Sequence, residues 1–156
     1  MKLSLISVVS LAIFQSLQFD TAEASSYELI KLEEEELCMG VGKVQDGEVL
    51  RLVECNDDDD DQLWEWDDDD IIPKEDDHLR IDAMAIYGSF VYLRERMSTE
   101  KQKWKKNENK ADYITPNTDD KLCVSSRSEE HPNEGDKLVL NKCNGKRTQR
   151  WEYRGP

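Results

Sequence analysis

The residues with the most evident chemistry are four cysteines: Cys38, Cys55, Cys123 and Cys143. Four thiols allow three disulfide connectivities, and local spacing favours Cys38–Cys55 and Cys123–Cys143. In the chain-entropy model each of these loop closures would stabilise the fold by about 3 kcal/mol. Paired cysteines are typical of proteins exported to an oxidising compartment.

Acidic side chains are the second candidate for chemistry, because carboxylate oxygens are the ligands that Ca²⁺ prefers. The stretch 33–77 holds 20 acidic and three basic residues, and the densest runs are Glu33–Glu36, Asp57–Asp61 and Asp67–Asp70. We interpret these runs as solvated, self-repelling loops. The alternative is weak binding of Ca²⁺ or a mineral surface by Asp57–Asp61 and Asp67–Asp70. The spacing of an EF-hand is absent, so no resident metal or other cofactor is expected.

Other classes of chemistry are disfavoured by the residue inventory. His78 and His131 have no nearby serine or cysteine in a nucleophile pattern, so we expect no enzyme. The net charge of −14 excludes nucleic-acid binding driven by overall charge. The segment 101–110 carries five lysines and Trp104. This segment either binds an anionic glycan, pairs with the aspartate runs, or is simply solvated.

The N-terminus has the layout of a secretory signal peptide. Lys2 precedes the apolar stretch Leu3–Phe14, and Ala22-Glu23-Ala24 supplies the small residues of a cleavage site. The apolar stretch is too short to span a bilayer, which needs about 20 residues. We therefore expect a signal peptide over 1–24, an acidic segment over 25–36 and a secreted, extracellular protein without a membrane span.

Three copies of Gln-x-Trp divide the rest of the chain: Gln62-Leu63-Trp64, Gln102-Lys103-Trp104 and Gln149-Arg150-Trp151. The flanks repeat as well, since Cys55 lies seven residues before Gln62 and Cys143 six before Gln149. In the middle copy, Leu79-Arg80-Ile81 takes the place of Leu37-Cys38-Met39. We assign the place of its second cysteine to Glu95, seven residues before Gln102. The chain is thus an internal repeat.

Each repeat reads as short strands. The runs 49–53, 89–93 and 137–140 are apolar or β-branched, and each follows a glycine that indicates a hairpin turn: Gly47, Gly88 and Gly135. No segment has a convincing helical period, so the fold class is all-β. Three such units can close around a shared axis and bury their tryptophans together. The glutamines can satisfy backbone groups at the turns that place the tryptophans in the core.

Three Gln-x-Trp repeats with cysteine pairs inside them resemble the ricin-type lectin domain. The resemblance covers roughly 37–153 and implies a β-trefoil of three subdomains with pseudo-threefold symmetry. The repeats would span about 37–70, 78–112 and 121–154 of a domain that covers 37–156. The family implies non-catalytic carbohydrate binding.

The family's sugar pocket uses three positions: an acid two residues after the first cysteine, an aromatic residue two before the second, and an Asn before Gln-x-Trp. The middle repeat has Asp82 in the acid place, Leu93 in the aromatic place and Lys101 in the Asn place, with Tyr92 and Tyr87 nearby. The first repeat has Gly40, Val53 and Asp61, and the third has Ser125, Asn141 and Thr148. The third site is therefore closed, and only Asp61 offers a carboxylate in the first.

We predict from these residues a secreted, monomeric lectin-like module with weak or altered sugar specificity. Its ligand residues would be Asp82, Tyr92 and Tyr87, with a partial contribution from Asp61, and its partners would be glycans or glycoconjugates. Two alternatives remain open. The trefoil could be a scaffold with lost sugar sites that binds a protein partner, or an acidic surface that binds Ca²⁺ or mineral.

Overall fold

A computed structural model describes residues 27–107 and 112–155, apart from the side chain of Asn107. The signal peptide expected over 1–24 lies outside the described residues. The elements are twelve short strands in the described part: β1 Glu28–Leu32, β2 Leu37–Gly40, β3 Arg51–Glu54, β4 Leu63–Asp67, β5 Asp70–Pro73, β6 Leu79–Asp82, β7 Tyr92–Glu95, β8 Trp104–Asn107, β9 Tyr113–Pro116, β10 Leu122–Ser126, β11 Leu138–Lys142 and β12 Trp151–Arg154. Single 3₁₀ turns precede β4, β8 and β12: Asp60–Gln62, Glu100–Gln102 and Arg147–Gln149.

The strands form three four-stranded repeats. In each repeat the second and third strands make an antiparallel hairpin: β2–β3, β6–β7 and β10–β11. Successive repeats are joined by the antiparallel pairs β4–β5 and β8–β9, and β12 returns to pair with β1. This arrangement is a β-trefoil, and it confirms the fold class that the resemblance implied.

The three hairpins meet on the pseudo-threefold axis. Leu50 donates its backbone N–H to Val91 (2.9 Å), Val91 to Leu138 (3.0 Å) and Leu138 back to Leu50 (2.8 Å). Gly47 and its two equivalents ahead of β7 and β11 have positive φ values of 80–85°, a conformation that glycine adopts without steric cost. Hydrogen bonds therefore continue around a closed cap that holds each hairpin against the next.

The tryptophans of the three Gln-x-Trp copies are fully buried in one apolar core. Each indole donates to a carbonyl of its own repeat's hairpin, and the Trp64 bond to Met39 O measures 2.9 Å. The glutamines bridge backbone groups: Gln102 Oε1 accepts from Met97 N–H (2.8 Å) and its Nε2 donates to Glu95 O (2.8 Å). Gln149 repeats this pattern with Asn144 and Lys142. The motif thus places a large apolar side chain and satisfies the turn beside it.

The barrel begins earlier than the sequence pattern indicated. Strand β1 lies inside the stretch 25–36, which we had set outside the trefoil, and it pairs with β12 and β4. Leu29, Ile30 and Leu32 of β1 are fully buried. The acidic run that follows is the connection from β1 to β2. Because this run dominates the composition of the stretch 25–36, the sequence pattern did not indicate the apolar strand β1.

The disulfides join Cys38 to Cys55 and Cys123 to Cys143, the two pairings that local spacing favoured. The middle repeat has Arg80 where the first cysteine would be. Arg80 is only 3% exposed, and its Nε donates to Asp70 Oδ2 (3.1 Å). Asp70 Oδ1 lies 2.9 Å from Lys103 Nζ. The residue in the first cysteine's place therefore forms a buried ion pair with a residue of β5.

Over residues 27–107 and 112–155, no helix is sufficiently long and apolar to cross a membrane.

Candidate functional site

The strand register decides which residues of the middle repeat correspond to the sugar-pocket positions. Leu79 pairs with Glu95 as Leu37 pairs with Glu54, so the residue equivalent to Cys55 is Arg96. The assignment of Glu95 to that place was wrong by one residue. The aromatic place therefore belongs to Arg94 rather than to Leu93, which is fully buried in the core. The six-residue spacing from Cys143 to Gln149 gives the correct register when it is applied to the middle copy.

A cleft of about 410 Å³ opens at the end of the β6–β7 hairpin. Asp82 is the last residue of β6 and pairs in register with Tyr92 of β7. Phe90, Arg94 and Lys101 line the cleft with these two residues. Lys101 is anchored because its backbone carbonyl accepts from Ala83 N–H (3.0 Å). The cleft thus combines one acid, two aromatic rings and two cations.

Asp82 is the most buried charged group of the cleft, with 8% of its surface exposed. Burial raises the pKa of its carboxyl, and this effect exceeds the opposing hydrogen bond with Gln102 and the charges of Lys101 and Arg94. Its Oδ2 is buried without a hydrogen-bond partner. A buried acceptor in that state is costly unless something donates to it. Asp82 also lines the cleft, so it is the acidic residue that a ligand there would meet.

Phe90 and Tyr92 supply the aromatic surface of the cleft. Their rings meet edge to face, with centroids 6.3 Å apart and an interplanar angle of 79°. The guanidinium of Arg94 lies 5.0 Å from the centroid of the Tyr92 ring. The sequence pattern did not point to Phe90, because this residue lies four residues before the aromatic place. Its position two residues before Tyr92, on the same face of a strand, is the signal that identifies it.

Two of the predicted ligand residues lie elsewhere. Tyr87 is 61% exposed and lines a separate groove with Ile86, Lys121 and Leu122 on the third repeat's side. Asp61 lies in the first 3₁₀ turn. A nearby depression on the first repeat is lined by Asp59 and not by Asp61. The structure therefore brings together Asp82 and Tyr92 but not Tyr87 or Asp61.

The first and third repeats lack the acid of the middle repeat. A Cβ atom on Gly40 would lie 2.6 Å from Val53 Cγ2, so the first repeat has no room for an acid there. In the third repeat Ser125, Asn141 and Thr148 are all buried. The pseudo-threefold symmetry of the backbone is thus not matched by its side chains at this position.

The aspartate runs are engaged with basic side chains of the same chain. Asp60 pairs with Lys74 (2.8 Å), Asp57 with Arg154 (3.3 Å) and Asp69 with Lys103 (2.6 Å). In the part of the chain that the structure describes, no three His, Cys, Asp or Glu side chains converge as a metal site would require.

The lysine-rich segment does not form one patch. Lys103 is bound to Asp69 and Asp70, and Lys106 Nζ lies 3.1 Å from the centroid of the Tyr153 ring. Lys101 is the lysine of this segment that lines the cleft. Lys110 lies outside the described residues.

No protein-family model matches the chain, and no curated protein matches it. Solved structures match its fold. A designed threefold-symmetric protein, ThreeFoil, superposes with a TM-score of 0.73 at 12% identity, covering 84% of this chain and 99% of its own. The C-terminal half of an earthworm R-type lectin, solved with GalNAc, gives 0.69 at 15%, covering 84% and 99%. Agglutinin from Abrus precatorius gives 0.66 at 18%, covering 82% of this chain and 46% of the agglutinin.

Proposed function

We propose that this protein is a secreted, non-catalytic glycan-binding module whose site is the Asp82 cleft. The observation that carries the proposal is the cleft itself, in which Asp82 lies with the rings of Phe90 and Tyr92. Sugar hydroxyls donate to a carboxylate, and the C–H face of a sugar ring packs on an aromatic ring. These are the two contacts that sugar recognition needs.

The trefoil fold supports this proposal because two of the matched structures are an R-type lectin and an agglutinin. Fold alone does not grant function, so the side chains of the cleft carry the argument. Secretion is part of the proposal and is supported by the two disulfides, which persist in oxidising compartments. The arginine in the aromatic place of this cleft fits weak or altered specificity.

A glycan array run with three proteins tests the proposal. The wild type should bind a defined glycan class, and Asp82→Asn should lose at least about tenfold in affinity, or about 1.4 kcal/mol. Asp58→Asn is the matched control, because it removes an exposed carboxylate from the first repeat and should bind as the wild type does. Equal binding by Asp82→Asn and the wild type would contradict the assignment of the site.

One observation favours a second candidate, a trefoil that binds a protein partner. Met84, Ile86 and Tyr87, in the loop between β6 and β7, are each more than half exposed. Exposed apolar residues that cluster in one loop are a feature of interaction sites. The variant Ile86→Ser separates the candidates, because it should leave glycan binding unchanged and weaken a protein complex formed through this loop.

A further inference from the structure

The Asp82 cleft is a basic region on an acidic protein. The chain has a net charge of −14, yet Arg94 and Lys101 line the cleft. Two further cations from the third repeat extend this surface, since Lys137 Nζ lies 5.3 Å and the Arg127 guanidinium 5.7 Å from the centroid of the Phe90 ring. Asp82 lies in the cleft itself, and Asp46 lies beside Arg94.

Arg94 is held in place by the neighbouring hairpin. Its Nη1 is 3.7 Å from Asp46 Oδ2, which is an ion pair longer than a hydrogen bond. A Cβ atom on Gly47 would lie 3.1 Å from the same nitrogen, so the guanidinium packs closely on that turn. Its other side lies over the Tyr92 ring. These contacts orient the guanidinium, which lines the cleft and belongs to a side chain that is 39% exposed.

Lys101 occupies the place where the related family has an amide. An amide both donates and accepts, whereas an ammonium only donates. At the aromatic place, the guanidinium of Arg94 presents N–H donors where the family has the face of an aromatic ring. Both substitutions therefore exchange groups that recognise neutral hydroxyls for groups that favour a negatively charged ligand.

We infer that the ligand of the Asp82 cleft is an anionic sugar. Asp82 accepts hydrogen bonds from the hydroxyl groups of the sugar ring, and Arg94 and Lys101 bind a sulfate or carboxylate substituent. This inference rests on the proposed glycan site and names its ligand class. The basic surface formed by Arg127 and Lys137 extends the preference to polyanionic glycan chains.

The test uses methyl glycosides of galactose and glucose in three forms each: the neutral sugar, the 6-sulfate and the 6-carboxylate. Wild-type protein should bind at least one anionic form about tenfold more tightly than its neutral parent. The variants Lys101→Gln and Arg94→Gln should each reduce that preference to about threefold or less, measured for each variant as the ratio of its anionic-sugar affinity to its neutral-sugar affinity. Lys43→Gln, an exposed lysine on the first repeat, is the matched control and should keep the full preference. The sulfate and carboxylate arms identify which anion is bound.

The outcomes separate the two proposals. If the neutral and anionic forms bind equally and Asp82→Asn weakens both, the glycan site stands and the anionic preference is refuted. If the wild type binds none of the six probes and no glycan of the array, the glycan site itself is refuted. Raising NaCl from about 0.05 M to about 0.5 M should reduce the preference, because salt screens charge interactions at exposed sites. A preference that is independent of salt would contradict the role given to Arg94 and Lys101.

Discussion

Replacing Asp70 by Asn should destabilise the fold strongly, because Asp70 neutralises a buried arginine. Arg80 and Asp70 are 3% and 6% exposed, and Arg80 takes the place that Cys38 and Cys123 have in the disulfides of the other two repeats. The guanidinium also donates to the carbonyls of Asp77 and Leu79, but these carry no net charge. Removing one partner of a buried ion pair costs about 3–5 kcal/mol. Lys103 adds little to this cost, because it keeps its bond to Asp69.

Urea denaturation of the non-reduced protein measures this free energy of unfolding. Asp60→Asn is the matched control, because Asp60 is an exposed aspartate bound to Lys74 at 2.8 Å. An exposed ion pair contributes at most about 1 kcal/mol. The double variant Asp70→Leu/Arg80→Met should regain most of the loss, because it removes both buried charges together.

The dependence on pH gives the same prediction a second readout. Burial alone would raise the pKa of Asp70, but hydrogen bonds from Lys103 and Arg80 outweigh burial and lower it from the ordinary value of 3.8. A carboxyl with a lowered pKa in the folded state stabilises the protein above its unfolded pKa, and this stability is lost as pH falls. The gap between wild type and Asp70→Asn should therefore shrink below pH 3.8. A cost for Asp70→Asn no larger than that of Asp60→Asn would refute the reasoning.

Two further predictions concern the sugar-pocket positions. Burial raises the pKa of Asp82 above its ordinary value of 3.8, so glycan binding by the wild type should weaken on acidification with a midpoint above pH 3.8. Glycan titrations at several pH values measure this midpoint. A midpoint at or below pH 3.8 would contradict the buried environment of Asp82. Because a Cβ on Gly40 would lie 2.6 Å from Val53 Cγ2, Gly40→Asp should cost about 1–3 kcal/mol by denaturation and add no second glycan site. Gly40→Asp/Val53→Ala should recover part of that stability, and full stability of Gly40→Asp alone would count against the clash.

Much of the fold was predictable because repeated constraints leave repeated residues. The Gln-x-Trp copies identify three equivalent turns, since a buried tryptophan and the glutamine beside it cannot be replaced freely. The cysteine pairs gave the strand register in the first and third repeats. The middle repeat has Arg80 and Arg96 in those places, so its register slipped by one residue in the prediction. The pairing of Leu79 with Glu95 in the structure shows the correct register of the middle repeat.

The candidate site was predictable only in part. Asp82 was identified from its spacing and Tyr92 as the neighbour of Leu93, and the structure brings them into one cleft. Tyr87 is close to Tyr92 in sequence but lies beyond the turn at Gly88, so its ring lines another groove. Phe90 and Arg94 depend on the strand register, which a one-residue slip obscures. The groove that a side chain such as Tyr87 lines depends on tertiary packing, which the sequence pattern does not record.

The measurement that tests the central claim most directly is NMR chemical-shift mapping with the best glycan from the array. Shifts of backbone amides should concentrate at Asp82, in the segment 90–94 and at Lys101, and they should saturate with one affinity. Asp82→Asn should abolish these shifts at the same glycan concentration while the rest of the spectrum remains that of the folded protein. Saturable shifts centred on Tyr87 or on Asp57–Asp61, or no saturable shifts, would contradict a glycan site in the Asp82 cleft.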